Sequence, residues 1–95
     1  MTDATINVHL DDVRKRFVIE ANGEEAGFAA FKEDGKVRVF NHTVIFEDFQ
    51  GQGLSKPLIK AALDESIADG FKLEAACSAV EHFVEKNPAY AEHAV

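Results

Sequence analysis

The residues whose types and spacing are best suited to chemistry form a short glycine loop, Gln50-Gly51-Gln52-Gly53-Leu54-Ser55. This loop follows an apolar extended segment and precedes a stretch with helical periodicity, so it joins a predicted strand to a predicted helix. Glycines at such a junction let backbone N–H groups point at a bound anion, and the helix N-terminus adds partial positive charge. The loop therefore predicts a phosphate or pyrophosphate site, and an ordinary strand–helix turn is the alternative reading of the same pattern.

Two side chains elsewhere in the chain carry reactive groups. Cys77, the single cysteine, stands at the end of a predicted strand, directly before a predicted helix whose N-terminus would lower the thiol pKa. Its alanine neighbours are also consistent with a small buried hydrophobic residue. His42 lies in a predicted strand and is either a general base or a half-buried, hydrogen-bonded histidine. Since no His, Cys and Asp residues cluster at ligand spacing, the sequence predicts no metal site.

Four predicted strands precede the glycine loop. Alternating apolar residues place them at residues 6–10, 17–21, 26–31 and 36–46, separated by turn residues such as Asn22-Gly23. In the fourth strand the apolar positions change parity near Val39 and Phe40. Either a β-bulge or burial of both faces produces such a change.

A helix, a strand and a second helix are predicted after the loop. Apolar residues recur at helical spacing from Leu54 to Ile67, and Gly70 is suited to end the helix in the left-handed conformation. Residues 71–77 form the fifth strand, and the capping box Ser78-Ala79-Val80-Glu81 begins the second helix, which ends at Asn87-Pro88. This order predicts an α/β (α+β) fold in one domain, 1–95, with a mainly antiparallel sheet and one βαβ crossover.

Composition limits the partners and the compartment. The formal net charge of −7 over 95 residues argues against nucleic acid, because nucleic-acid binding depends on lysines and arginines that neutralise phosphates. No apolar run approaches the length of a membrane helix, and no secretion signal is apparent. A single cysteine excludes an internal disulfide and fits a reducing compartment, so we expect no nucleic-acid or membrane partner and a cytoplasmic location.

Three motifs together resemble a known family. His42-Thr43, then Glu47-Asp48, then the glycine loop are similar to the core of the GNAT superfamily of acetyltransferases. The closer resemblance is to its minimal single-domain subfamily, which carries His-Thr before the loop, Cys-Ser after it and a His/Asn-Pro-x-aromatic tail. Cys77-Ser78 and Asn87-Pro88-Ala89-Tyr90 match the last two motifs in the same order, and the resemblance covers about residues 17–95.

The resemblance implies a sheet splayed between its fourth and fifth strands, with acetyl-CoA bound across the opening and helices packed on the sheet. His42 and Cys77 correspond to the candidate catalytic pair of the subfamily. His42 would deprotonate the acceptor amine, and Cys77 would be an acetyl carrier or would help to protonate the departing CoA thiolate. The implied cofactor-binding residues are Val44, Gln50, Gly51, Gln52, Gly53, Leu54, Ser55, Asn87 and Tyr90.

The expected function is therefore acetyl-CoA-dependent N-acetylation of a primary amine of unknown identity. The sequence departs from the subfamily pattern at Val44, where a glutamate is usual, at Gln50, where arginine is common, and at Ala79, where an aromatic residue is usual. These changes weaken catalysis more than binding. The alternative function is a non-catalytic acyl-CoA-binding or protein-interaction module with the same fold.

Overall fold

The structure, a computed structural model, describes residues 5–95. Its five strands form one sheet in the order in which they occur along the chain. The elements are β1 (Ile6–Asp11), β2 (Arg16–Ala21), β3 (Glu24–Asp34), β4 (Val37–Ile45), α1 (Ser55–Ala68), β5 (Lys72–Ala75) and α2 (Ser78–Lys86), with 3₁₀ helices at Glu47–Phe49 and Pro88–His93.

The sheet is antiparallel from β1 to β4 and parallel between β4 and β5. Helix α1 connects the two parallel strands, because parallel neighbours need a crossover connection. This topology confirms the predicted mainly antiparallel sheet with one βαβ crossover. Strand β5 is shorter than expected, because its pairing with β4 ends at the pair Phe40 and Ala75.

The parity change in β4 is a β-bulge. Phe40 pairs with Phe31 and His42 pairs with Ala30, so Asn41 is the additional residue on β4. The bulge lies one residue beyond the predicted position. It keeps Val39 and His42 on the same face of the sheet although their numbers differ in parity.

Both helices contribute to one core against one face of the sheet. Helix α1 contacts all five strands, and α2 contacts α1, β4 and β5. The buried core residues are Phe17, Ile19, Ala21, Ala26, Ala29, Phe31, Phe40, Leu54, Leu58, Ile59, Ala62, Leu63, Leu73, Val80 and Phe83. Within residues 5–95, neither helix has the length and the apolar character needed to span a membrane.

The other face of the sheet, here named the open face, carries the residues that alternate with the core. Arg16, Ala30 and His42 form one row across three strands, and Val18, Phe28 and Val44 form the next row. None of these six residues packs against the core cluster. The open face is therefore free to hold something other than the two helices.

Arg38 is a charged residue inside the core, where arginine is rarely found unless it is paired. Its side chain is 4% exposed. Nε and Nη2 donate to Glu33 over 3.3 and 3.2 Å, and Nη1 donates to the Ser66 hydroxyl over 3.1 Å. Its guanidinium carbon also lies 4.1 Å from the centre of the Phe71 ring. Since every nitrogen has an acceptor, Arg38 connects β3, β4 and α1 without leaving a buried charge unpaired.

Candidate functional site

The sheet opens between β4 and β5 directly after their last pair. The Ala76 N–H donates to the Phe40 carbonyl over 2.9 Å, and beyond this bond β4 continues through residues 41–45 without β5 beside it. The Phe46 N–H bonds to Ala26 in β3, so the alternating residues Thr43 and Ile45 direct their N–H groups to the opposite edge. This edge, with its unpaired backbone donors, forms one wall of a gap. The predicted splay is confirmed.

The glycine loop lies at the mouth of this gap. Gln50 is tied back to β4, because its side-chain amide donates to the Ile45 carbonyl over 3.1 Å. Gly51 and Gly53 have φ angles of +84° and +71°, a region that side-chain-bearing residues rarely adopt. Gln50, Gly51, Gln52, Gly53 and Ser55 are all exposed. The backbone of the loop is therefore open to a ligand.

The first turn of α1 has unused hydrogen-bond donors. The helix has no side-chain cap and no acidic residue in its first turn. The Leu58 N–H bonds to Leu54 and Pro57 has no N–H, so the amides of Ser55 and Lys56 are the donors left at this end. The Leu54 side chain is 6% exposed and belongs to the core. Any contact of Leu54 with a ligand would therefore come from its backbone.

A groove runs from this helix end between α1 and α2. It comprises a cavity of about 430 Å³ and an adjoining one of about 290 Å³. Its charged walls are basic: Lys56, Lys60 and Lys86 line it with His82, and no carboxylate does. In a chain of net charge −7, this local excess of lysine is suited to an anionic ligand.

The tail residues close one side of the groove. Asn87 lines both cavities, and its side-chain amide donates to the Phe83 carbonyl near the end of α2 over 2.8 Å. The Tyr90 hydroxyl donates to Asp64 on α1 over 2.7 Å, and its ring centre lies 5.3 Å from that of Phe83. Both predicted tail residues therefore lie at the groove. Asn87 bonds to the end of α2, and Tyr90 bonds to α1.

Cys77 forms the far wall of the gap. It is the N-cap of α2, which has no side-chain cap hydrogen bond, so the predicted Ser78 capping box is wrong. The strand ends at Ala75, and the chain turns into the helix one residue earlier than expected. The Cys77 thiol donates to Oγ1 of Thr43 over 3.5 Å. Cys77, the last residue before α2, therefore contacts Thr43 on the free edge of β4.

The surroundings of Cys77 favour its thiolate. Burial by itself raises the pKa of the Cys77 thiol. The Thr43 hydroxyl and the N–H groups of Ala79, Val80 and Thr43 lie where they favour the thiolate. Together they outweigh burial, so the pKa of Cys77 lies below its ordinary value. A lowered pKa increases the fraction of thiolate, the nucleophilic form of cysteine, and the same side chain packs against the core cluster.

His42 and Val44 lie on the open face, on the opposite side of β4 from Cys77. His42 is exposed, and its ring centre is 6.1 Å from that of Phe28. Because Thr43 lies between them on the strand, the histidine and the cysteine approach the gap from opposite faces. The structure therefore places Ser55, Asn87 and Tyr90 at the groove and Cys77 at the gap. His42 and Val44 lie on the opposite face of the sheet.

Two positions that line the groove were missed from the sequence alone. His82 and Lys86 are one helical turn apart, and both line the groove beside Asn87. Their spacing of four residues directly before the tail motif was the available signal, because it places both on one face of α2. Nowhere among residues 5–95 do three or more His, Cys, Asp or Glu side chains meet as a metal site would require.

A sheet splayed beside the crossover helix, with a glycine loop at the start of that helix, is the arrangement of GNAT-type acetyltransferases. A family model for the GCN5-related N-acetyltransferases matches residues 16–93, and the chain belongs to this family.

Relatives and a solved structure agree with this membership. Protein NATD1 of Gallus gallus is 32% identical over 92 residues, which cover 93% of this chain and 84% of the relative. Protein NATD1 of Homo sapiens is 31% identical over 85 residues, which cover 87% of this chain and 75% of the relative. The solution structure of a GCN5-like protein from Staphylococcus aureus matches with a TM-score of 0.69 and 23% identity, over 100% of this chain and 91% of that one. The last comparison shows the shared fold.

Proposed function

We propose that this protein is an acetyl-CoA-dependent N-acetyltransferase that acetylates a primary amine. The observation that carries the proposal is a succession of features: the free edge of β4, the glycine loop tied to it through Gln50, the uncapped start of α1, and the lysine-lined groove that begins at Ser55 and Lys56. Backbone donors at one end and cations at the other are suited to a long ligand with a thioester, a pyrophosphate and a terminal phosphate.

The residues present fit such a ligand in two independent ways. The amides of Ser55 and Lys56 have no helical acceptor, and the first turn of α1 holds no carboxylate that would repel a pyrophosphate. Further along the groove, Lys60 and Lys86 are placed for the remaining phosphate charge. When bound, acetyl-CoA supplies an acetyl group already activated as a thioester.

The residues around the gap have separate tasks in the transfer. The N–H group of Ile45 faces the gap and would donate to the carbonyl oxygen as negative charge develops on it. His42 would accept the proton that an ammonium must lose before its nitrogen can attack. Cys77 touches the gap from the other face, where its thiol or thiolate would contact the acetyl group or the departing sulfur.

The acceptor reaches this gap from the open face. The helices and the groove occupy the other side of the sheet, so an amine has access to the thioester beside His42. We further propose that the protein works in the cytoplasm, as its single cysteine suggests.

Isothermal titration with acetyl-CoA and with CoA, followed by an assay of CoA thiol release with a panel of primary amines, tests the proposal. We expect a micromolar dissociation constant and amine-dependent thiol release. Binding without release for any amine would instead favour the non-catalytic acyl-CoA-binding module. Absence of binding heat, together with no thermal shift, would refute both functions.

A further inference from the structure

Arg16 lies on the open face, and no carboxylate within residues 5–95 pairs with its guanidinium. Its guanidinium carbon lies 4.1 Å from the centre of the Phe28 ring. Its Nε is buried and has no hydrogen-bond partner. Neither Nη group has a partner within residues 5–95, although both keep contact with solvent. A cation that is partly removed from water and has no counter-ion is prepared to pair with an anion.

The nearest carboxylate in the sheet is already engaged. Asp11 is the register partner of Arg16 on β1. Its Oδ1 accepts the backbone N–H of Arg14 over 3.2 Å, and its Oδ2 lies 3.8 Å from Nε of Arg14. Within residues 5–95, no carboxylate lies within ion-pair distance of Arg16, so an anion that pairs with the solvent-facing Nη groups would come from outside that segment.

Arg16 lies in the same row of the open face as the candidate base. The register places Arg16, Ala30 and His42 side by side on β2, β3 and β4. The alanine between them carries only a methyl group. The Phe28 ring of the neighbouring row lies beside both larger side chains, 4.1 Å from the guanidinium carbon of Arg16 and 6.1 Å from the His42 ring centre.

We propose that the acceptor is an amine that also carries a carboxylate, an amino acid in the broad sense, and that the two Nη groups of Arg16 hold this carboxylate while the amine reaches His42. This inference rests on the proposed function and specifies its substrate class. The distance from the guanidinium carbon of Arg16 to the His42 ring centre is at most the sum of the two ring distances above. With a hydrogen bond at each end, this upper bound limits the acceptor to a few atoms between its amine and its carboxylate.

The test compares acceptors that differ only in the carboxylate. γ-Aminobutyrate and β-alanine are assayed against n-propylamine and ethylamine, at saturating acetyl-CoA, with CoA thiol release as the readout. We expect the wild-type kcat/KM to favour the carboxylate-bearing acceptors at least about tenfold, because a charge-assisted hydrogen bond is worth that much. Arg16→Gln should remove this preference by raising KM for γ-aminobutyrate, and should leave n-propylamine unchanged.

Two further variants complete the design. Arg16→Lys keeps the charge but loses the bidentate donor. It should therefore keep part of the preference for carboxylate-bearing acceptors that Arg16→Gln loses. Lys32→Gln is the matched control, because Lys32 is an exposed cation that lies on β3 and also faces the open face. This variant should leave kcat/KM unchanged for both acceptors. Equal losses for both acceptors in Arg16→Gln, or no wild-type preference for a carboxylate, would overturn the inference.

A binding experiment separates failure of this inference from failure of the proposed function. The ¹⁵N–¹H signal of Arg16 Nε in the wild-type protein is followed while γ-aminobutyrate or n-propylamine is added without acetyl-CoA. A shift with γ-aminobutyrate alone supports the carboxylate site even if no transfer is found. Acetylation of n-propylamine without any effect of γ-aminobutyrate would leave the acetyltransferase function intact and exclude this acceptor class.

Discussion

The substitution Gly53→Ala tests the phosphate loop most directly. Gly53 has a φ angle of +71°, and no atom of the protein lies within 4 Å of the position that a Cβ would take. A methyl group therefore fits the free protein and protrudes from the exposed loop toward the expected phosphate. Gly35→Ala is the matched control, because Gly35 has a φ angle of +61° and equally open space but lies in the turn between β3 and β4.

The two substitutions should have the same effect on folding and different effects on binding. Forcing a residue with a Cβ into the left-handed region costs about 1–2 kcal/mol in each variant. That corresponds to a fall in melting temperature on the order of 5–15 °C for a chain of this size. At Gly53 the methyl group would also hold the pyrophosphate off one or two amides, and each lost charge-assisted hydrogen bond is worth about 1.5–3 kcal/mol. We therefore expect acetyl-CoA affinity to fall at least about tenfold in Gly53→Ala only.

Isothermal titration of both variants with acetyl-CoA, beside thermal melts, gives the two quantities. Equal melting temperatures with a selective loss of affinity in Gly53→Ala would support the loop as the phosphate site. The reasoning fails if Gly53→Ala binds as tightly as wild type, or if Gly35→Ala loses the same affinity. In either case the binding surface would have to lie away from the loop.

Three further outcomes are expected. Because the pKa of Cys77 is lowered in the folded state, iodoacetamide should alkylate the native thiol at a pH below that needed for the denatured chain. Thr43→Val should shift the pH dependence of this alkylation to higher pH. If the native and the denatured protein showed the same pH dependence, the lowered pKa of Cys77 would be contradicted. Lys86→Gln should weaken acetyl-CoA binding a few-fold in low salt and less in high salt, as expected for an exposed charge. Lys72→Gln on β5 is the control and should have no effect on binding. Titrations of both variants at two salt concentrations test this prediction. Ser66→Ala should lower the free energy of unfolding by about 1–3 kcal/mol, because it deprives buried Arg38 of an acceptor; denaturant melts showing no loss would remove Ser66 from that network.

The elements of the fold could be predicted because local rules determined them. Asn22 and Gly23 have φ angles of +53° and +84°, the left-handed pair that closes a two-residue hairpin. Gly70, with a φ angle of +89°, ends α1 as its position after a run of helical spacing predicted. In both cases the residues that decide the conformation are neighbours along the chain.

The site could be predicted only in part, because its remaining features depend on residues distant in sequence. Nothing local in the sequence marks Arg38 as buried, and only the folded chain shows that Glu33 and Ser66 supply its acceptors. The Ser78 capping box had the right residue types, but β5 separates from β4 at Ala75, and the helix therefore starts with Cys77 at its cap. The contact of Cys77 with Thr43 spans 34 positions, and no local pattern encodes it.

The bulge at Asn41 is what allows one strand to serve both faces of the proposed reaction. Side chains alternate along a strand, so a shift of one residue exchanges the two faces. In a regular β4, His42 would share the core face with Arg38 and Phe40, and Thr43 would point away from Cys77. The additional residue reverses this after Phe40: Thr43 meets the thiol on the helix side, and His42 reaches the open face beside Ala30 and Arg16. Because the bulge coincides with the point where β5 leaves the sheet, the reversal falls at the gap itself, where a thioester could be reached from both sides.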